Sequence, residues 1–327
     1  MLTKESPIWS ITFLGIAIIT LSFAPILTRI AENELGSYAT IFNRFWITSL
    51  ALILGNGIKI LSDKQSDRLS TNFQETYTFK DFFYLFLLAI LNIACLVTWA
   101  WSLTKTTVAN SNLLHNTTPI FTVLSGWLLL SKSFGSRFLI GIIIALGGSL
   151  IIGFQDFHLA KYTLIGDTIA LVYAIFYAGV ILVIEHLRVK FKTTTILIWN
   201  NCLCCLLLLP FALLFEEKLL PVSLSGWLSV IGLGILCNLI GGSALIYSLK
   251  QFSSGFVSLI LLLEPIIAAF LAWGIFEEEL SLLNALTFVL VLSGIYLAKS
   301  DQVLDNNSEV VGANCYSPVQ ELGEQKI

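Results

Sequence analysis

Runs of about twenty apolar residues recur ten times along this 327-residue chain, and a helix needs a run that long to cross the bilayer. The segments are 7–30, 37–58, 82–103, 107–130, 137–154, 164–186, 195–215, 225–248, 255–276 and 281–298. Composition agrees. Charged residues make up 12% of the chain, against roughly 25% in soluble domains. Mean hydropathy is +0.86. A soluble fold of this length would need a polar surface that these residues cannot supply, so the bilayer is the expected solvent and the fold class is an all-α membrane protein. The first run, Ile8 to Ile30, is too long for a signal-peptide core and has no small-residue cleavage site, so it reads as a retained span.

Most connections are short. The exception is the polar stretch 59–81, and the segment 300–327 is a polar tail expected to be disordered. With a cytoplasmic N-terminus and alternating loops, thirteen basic residues fall on the cytoplasmic side, among them Lys64, Arg68, Lys132, Lys190 and Lys250. Four fall outside (Arg29, Lys105, Lys161 and Lys218), and Arg44 remains within a span. That bias puts both termini in the cytoplasm and supports an even number of spans.

The chain also repeats itself. At an offset of 146, Asn92 meets Asn238, Ser102 meets Ser248, Pro119 meets Pro265, Trp127 meets Trp273 and Gly148 meets Gly294, without a gap. The expected domains are a first five-helix repeat over 1–154, an extracytoplasmic connector over 155–163 and a second five-helix repeat over 164–299. Five is odd, so the second repeat enters the membrane upside down. Inverted repeats of this kind mark transporters with a substrate site near the midplane between the halves.

The stretches "SLTKTTVANSNLLHNTTPIFTVLSGWLLLSK" and "SLKQFSSGFVSLILLLEPIIAAFLAWGIFEEELSLLNALTFVLVLSGIYLA" resemble the paired repeats of EamA-type transporters of the drug/metabolite transporter superfamily. The shared motifs are a proline in the fourth and ninth helices, an acid after each of those helices, and an arginine in the second. Here Glu278 matches the acid of the second half and Arg44 matches the arginine, whereas Lys132 stands where the first-half acid is usual. The resemblance implies a multi-pass carrier. It leaves the cargo open among amino acids, other metabolites, nucleotide sugars and drugs.

Within the spans, Arg44, His115 and Glu264 are the ionisable residues to explain, and such residues face a bundle interior or a wet cavity. Glu264 lies about 14 Å deep at the ~1.5 Å helical rise, near the midplane. Pro119 and Pro265 each remove a backbone donor and free the carbonyls of His115 and Leu261. They are the expected hinges. The reading favoured for Glu264 is contact with substrate or proton, and the alternative is a permanent pair with Arg44. A polar stripe joins this centre from the fourth helix: Ser111, Asn112, His115, Thr118, Thr122 and Ser125, flanked by Asn116 and Thr117. It lines a cavity or bonds helices together. Asn92 and Asn238 serve equally well as cavity donors or interhelical bonds. Trp101 and Tyr247 either line the cavity mouths or belong to aromatic belts. Substrate-binding candidates are therefore Glu264, His115, Asn112, Asn116, Thr118, Arg44, Asn92, Asn238, Trp101 and Tyr247.

Enzyme motifs are missing. "FEEELS" has the double glutamate of intramembrane CAAX-type proteases but no arginine at the required spacing, and GxSxG, P-loop and Rossmann patterns are absent. No cofactor or metal is expected, since no His lies close to Cys202–Cys205. A net charge of −3 without basic–aromatic runs argues against nucleic acid. The expected partners are the bilayer, a small polar or amphipathic substrate with amino acids favoured, and protons as candidate coupling ion. Lipophilic cations are the alternative cargo, and a channel is a further alternative. Oligomeric state is left open.

Overall fold

The computed structural model describes residues 7–65, 76–105, 111, 114–130, 134–157, 164–264, 266–267, 270–271, 286 and 289–298. Among these residues every regular element is helical. In chain order they are α1 (Pro7–Leu21), α2 (Ala24–Glu32), α3 (Ser37–Gln65), α4 (Phe79–Lys105), α5 (Thr118–Leu130), α6 (Ser136–Phe157), α7 (Leu164–Arg188), α8 (Thr193–Phe215), α9 (Leu224–Ile231), α10 (Gly242–Ser248), α11 (Ser254–Ile260) and α12 (Val289–Ala298). A π-helix, Gly232–Gly241, joins α9 to α10, and a 3-10 turn, Leu261–Leu263, follows α11.

Among the described residues, five helical stretches are long and apolar enough to cross a membrane: Trp9–Glu32, Phe79–Ser102, Ile165–Arg188, Thr193–Phe215 and Leu224–Ser248. Shorter apolar helices follow the second of them (Thr118–Leu128 and Ser136–Gly148) and the fifth (Ser254–Leu263 and Val289–Ala298). Large side chains such as Leu128, Ile143, Leu206 and Leu214 point outward, which suits lipid rather than water. Several helix ends differ from the sequence expectation. α3 continues to Gln65, into the stretch taken from sequence as a loop, and α6 continues to Phe157, inside the expected connector. The first span breaks at Ser22–Phe23 because Pro25 cannot continue the hydrogen-bond ladder.

Packing pairs the two halves in a regular way. α4 lies along α7, and α1–α2 lies along α9–α10. α4 also meets α8, as the π-helix and α9 meet α3. α3 packs on α8, and α5 on α11. Two of these contacts recur between the halves: α4 on α7 matches α9–α10 on α1–α2, and α4 on α8 matches the π-helix and α9 on α3. By contrast, α5 also packs on α7 without a contact of matching extent between α11 and α1 among the described residues. The sharpest approach is between α6 and α12. A Cβ on Gly141 would stand 2.5 Å from the Gly294 carbonyl oxygen and 2.9 Å from the Ala298 nitrogen, so only small residues permit this crossing.

The ends are tied in the same pattern. Before α3, Glu34 accepts hydrogen bonds from the Val222 and Ser223 amides and the Ser223 hydroxyl (2.6 Å), at the start of α9. Chiefly the Ser223 hydroxyl, then the Val222 amide, hold the Glu34 carboxyl below its ordinary pKa. Glu216 accepts from the Tyr38 amide at 2.8 Å, and Asn43 donates to the Leu219 carbonyl at 2.6 Å. At the other end of α3, Lys190 after α7 pairs with Asp81 at the start of α4.

Candidate functional site

Proline decides the local geometry. The chain turns at Asn116–Thr117 and α5 restarts at Thr118, one residue before Pro119. Pro119 has no N–H to offer the His115 carbonyl, and the Thr118 hydroxyl takes that place at 2.6 Å. Thr117 donates in the same way to the Leu114 carbonyl at 2.5 Å. In the second half, the Leu261 carbonyl receives the Glu264 N–H in the 3-10 turn. The residue before each proline thus bonds back three positions, with a side chain in one half and the backbone in the other. Pro265 itself lies outside the described residues, as do Asn112, Lys132 and Glu278. The Glu264 carbonyl accepts from the buried Ser22 hydroxyl at 3.0 Å, which ties this turn to the break in the first span.

Around the two breaks the helices bring polar groups together. The His115 ring stacks on Tyr173 with centroids 4.6 Å apart and planes at 28°. It reaches Tyr177 at 5.5 Å. The two tyrosines stand one helical turn apart on α7 with nearly parallel rings, 5.9 Å and 9°. Tyr173 lies beside the thiol of Cys95 on α4. Glu264 lies within electrostatic reach of both tyrosines, and Arg44 on α3 within reach of Cys95, Tyr177, Cys237 and Glu264.

Arg44 and Glu264 do not close on each other. Neither makes an ion-pair contact, and neither side chain has a hydrogen bond among the described residues. Both are half-buried rather than enclosed. The permanent pair weighed from sequence is therefore not formed in this structure. The Nδ1 of His115 is enclosed and has no hydrogen-bond partner among the described residues. An unmet nitrogen and two unpaired opposite charges form an arrangement that a polar ligand would complete.

Other sequence candidates divide between this centre and its supports. Thr118 is buried at the break, and Asn116 is buried in the turn before it. Ser111, ahead of α5, shares a 2.6 Å hydrogen bond with Ser102 on α4. Asn238 donates to Asn201 at 2.5 Å and to Thr48 at 3.1 Å, while Asn92 donates to Asn200 at 3.4 Å. Both asparagines join helices. Trp101 stands 54% exposed near the end of α4. Tyr247 packs on Phe13 at 4.4 Å and borders an open crevice of about 360 Å³ with Leu239, Ile240 and Ser243. That crevice is apolar, and Arg44, His115 and Glu264 do not line it. The polar convergence is the stronger candidate, because an enclosed nitrogen without a partner and ionisable groups within the spans call for water, an ion or a ligand to meet them.

Sequence reasoning missed Tyr173, Tyr177 and Cys95. The available signal was "YAIFY", with two phenols one turn apart inside an apolar run, whose hydroxyls need partners there.

Known proteins agree with this architecture. The model of the EamA-like transporter family matches residues 8–154 and again 164–299. An uncharacterized transporter of Archaeoglobus fulgidus is 25% identical over 230 residues, covering 68% of this chain and 78% of that one. The uncharacterized transporter YdfC of Bacillus subtilis is 29% identical over 191 residues, 57% of this chain and 60% of its own length. A solved crystal structure of a protein superposes with a TM-score of 0.72 at 17% identity, over 90% of this chain and 98% of that one, and so shares the fold. With two tandem matches spanning most of its length, an all-helical architecture and apolar helices suited to a bilayer, the chain belongs to the EamA-like transporter family.

Proposed function

We propose that this membrane transporter is an alternating-access carrier that exports a small polar or amphipathic metabolite, amino-acid-like in character, through a site between two inverted halves. Ten spans with both termini cytoplasmic complete the reading. The observation that carries it is the pair Arg44 and Glu264, contributed by opposite halves, within each other's field yet unpaired. A carrier must bind its cargo from either side, and a midplane site shared between halves meets that need. The contacts that recur between the halves support the two-fold relation. Ser22 and Thr118, which satisfy backbone at the two breaks, would keep those breaks affordable at membrane depth. Protons are the proposed coupling ion, with Glu264 as their carrier.

One feature favours a second reading. The stacked rings of His115, Tyr173 and Tyr177 near a carboxylate would also suit a lipophilic cation. Flux in proteoliposomes separates the readings. Glu264→Gln is expected to fold normally and to lose most amino-acid flux together with its pH dependence. Wild-type flux with unchanged pH dependence would remove Glu264 from the site. Transport of tetraphenylphosphonium without any amino acid would favour the cation carrier, and flux that neither saturates nor responds to substrate on the far side would indicate a channel.

A further inference from the structure

Arg44 presents a harder electrostatic problem than Glu264. A carboxylate can take up a proton and become neutral, whereas a guanidinium stays charged at any accessible pH. Its charge must therefore be met by a counter-ion, by water or by a ligand. Within its reach are the neutral Cys95, Tyr177 and Cys237, and across the site the unpaired Glu264. Its backbone is pinned: the Arg44 carbonyl lies 2.8 Å from the Thr48 hydroxyl, which also reaches the Gly234 carbonyl at 2.7 Å. The side chain is thus presented from a fixed point on α3. Its five donors form a planar fork that matches a carboxylate in two parallel bonds.

We propose that Arg44 is the specificity-determining residue of the site: its fork takes the carboxylate of the cargo while Glu264 takes the ammonium, so that a molecule carrying both charges is admitted and a purely cationic one is rejected. This rests on the carrier reading above and narrows its cargo to zwitterionic carboxylates. A lipophilic cation gains from Glu264 and the aromatic rings but meets the uncompensated charge of Arg44, a repulsive element of the kind that sets specificity. The enclosed Nδ1 of His115, stacked on Tyr173, is a further unmet polar atom among these groups.

The test uses purified full-length protein in nanodiscs and reads ligand affinity from thermal stabilisation. Twenty L-amino acids are screened on the wild type. The best binder is then compared with its matched amine (no carboxylate), its matched acid (no amine) and tetraphenylphosphonium. The wild type should prefer the amino acid to the amine by about tenfold or more, the scale of a charged hydrogen bond. Arg44→Gln should reduce that preference to within about threefold, and Arg44→Lys should fall between, keeping the charge but not the fork. Glu264→Gln should instead erode the preference over the matched acid.

A wild type that binds amino acid and amine equally overturns the proposal and leaves the carrier reading intact. So does an Arg44→Gln variant that keeps the full preference. Tetraphenylphosphonium binding without any amino acid overturns both, as does a wild type stabilised by no probe. If Arg44→Gln fails to fold, the wild-type comparison of amino acid, amine and acid still decides.

Discussion

Replacing Gly294 by alanine tests whether the α6–α12 crossing is as close as described. The new Cβ would lie 2.5 Å from the Gly141 carbonyl oxygen, 2.7 Å from the Ala145 nitrogen and 2.8 Å from the Ala145 Cβ. Two of these are backbone atoms of a regular helix and cannot swing aside. Ordinary contact begins at 3.4 Å, so the helices must part by about 0.9 Å, the difference between 3.4 and 2.5 Å. Overpacking of that kind costs about 1–3 kcal/mol. Neighbouring contacts are lost as well, and packing is the main attraction between helices in lipid. Gly141→Ala meets the same obstacle from the other side, with the Gly294 oxygen at 2.5 Å. The double variant should therefore cost less than the sum, because a gap opened by one methyl accommodates the other, and coupling of about 0.5 kcal/mol or more is expected. Gly147, on the same helix, has nothing within 4 Å of a built Cβ and is the control. Thermal unfolding in detergent should place both single variants well below Gly147→Ala. Equal midpoints for Gly294→Ala and Gly147→Ala, or strictly additive costs in the double variant, would refute the close crossing.

Further expectations concern the breaks, the asparagines and the ends. Thr118→Val leaves the His115 carbonyl unmet and should cost about 1–3 kcal/mol in thermal unfolding. Thr122→Val, whose hydroxyl only doubles an existing helical bond to Thr118, should cost much less, and equal costs would count against the capping role. Asn238→Leu should destabilise by up to about 1.7 kcal/mol, the upper range for interhelical bonds in lipid, and Asn92→Leu, with its 3.4 Å contact, by less. Acidification should loosen the tie at Glu34. Its folded-state pKa is depressed, so the stabilisation is complete above the ordinary value of 4.5 and is lost as pH falls through the lower folded value. Protection factors at Val222 and Ser223, taken relative to the intrinsic exchange rate at each pH, should fall in that acid range, and Glu34→Ala should make them low and insensitive to pH throughout. Protection that persists in the alanine variant would show that the carboxylate does not hold these amides.

Much of the architecture was legible because bilayer physics leaves few solutions. Apolar runs located the five stretches long and apolar enough to cross a membrane, and the two prolines marked the turns at Asn116–Thr117 and Leu261–Leu263. The freed carbonyls of His115 and Leu261 could be named from sequence, since proline acts on a carbonyl at a set distance. What satisfies them could not. Thr118 reaches back with its side chain and Glu264 with its N–H, a choice that depends on local backbone conformation. The membership of the polar centre was only half visible. Charged residues in apolar runs stand out by their cost, which is why Arg44 and Glu264 were found. Tyr173, Tyr177 and Cys95 carry no such mark, because an aromatic or a thiol in an apolar helix reads as ordinary packing. The ties at Glu34 and Glu216 join residues about 180 positions apart and leave no periodic trace.

Under the alternating access proposed above, the π-helix at Gly232–Gly241 bears on the balance between facings. Its counterpart by the offset of 146 lies within α4, which is α-helical throughout. Wider turns re-phase the residues that follow, so Asn92 and Asn238 occupy matching positions in sequence but bond to different neighbours. In a carrier built from two identical inverted halves, the inward-facing and outward-facing states would be related by a two-fold rotation and equal in energy. A feature confined to one half lifts that degeneracy. The resting population of such a molecule is then biased before any cargo or ion gradient acts, and each gradient works against or with a preference already present in the chain.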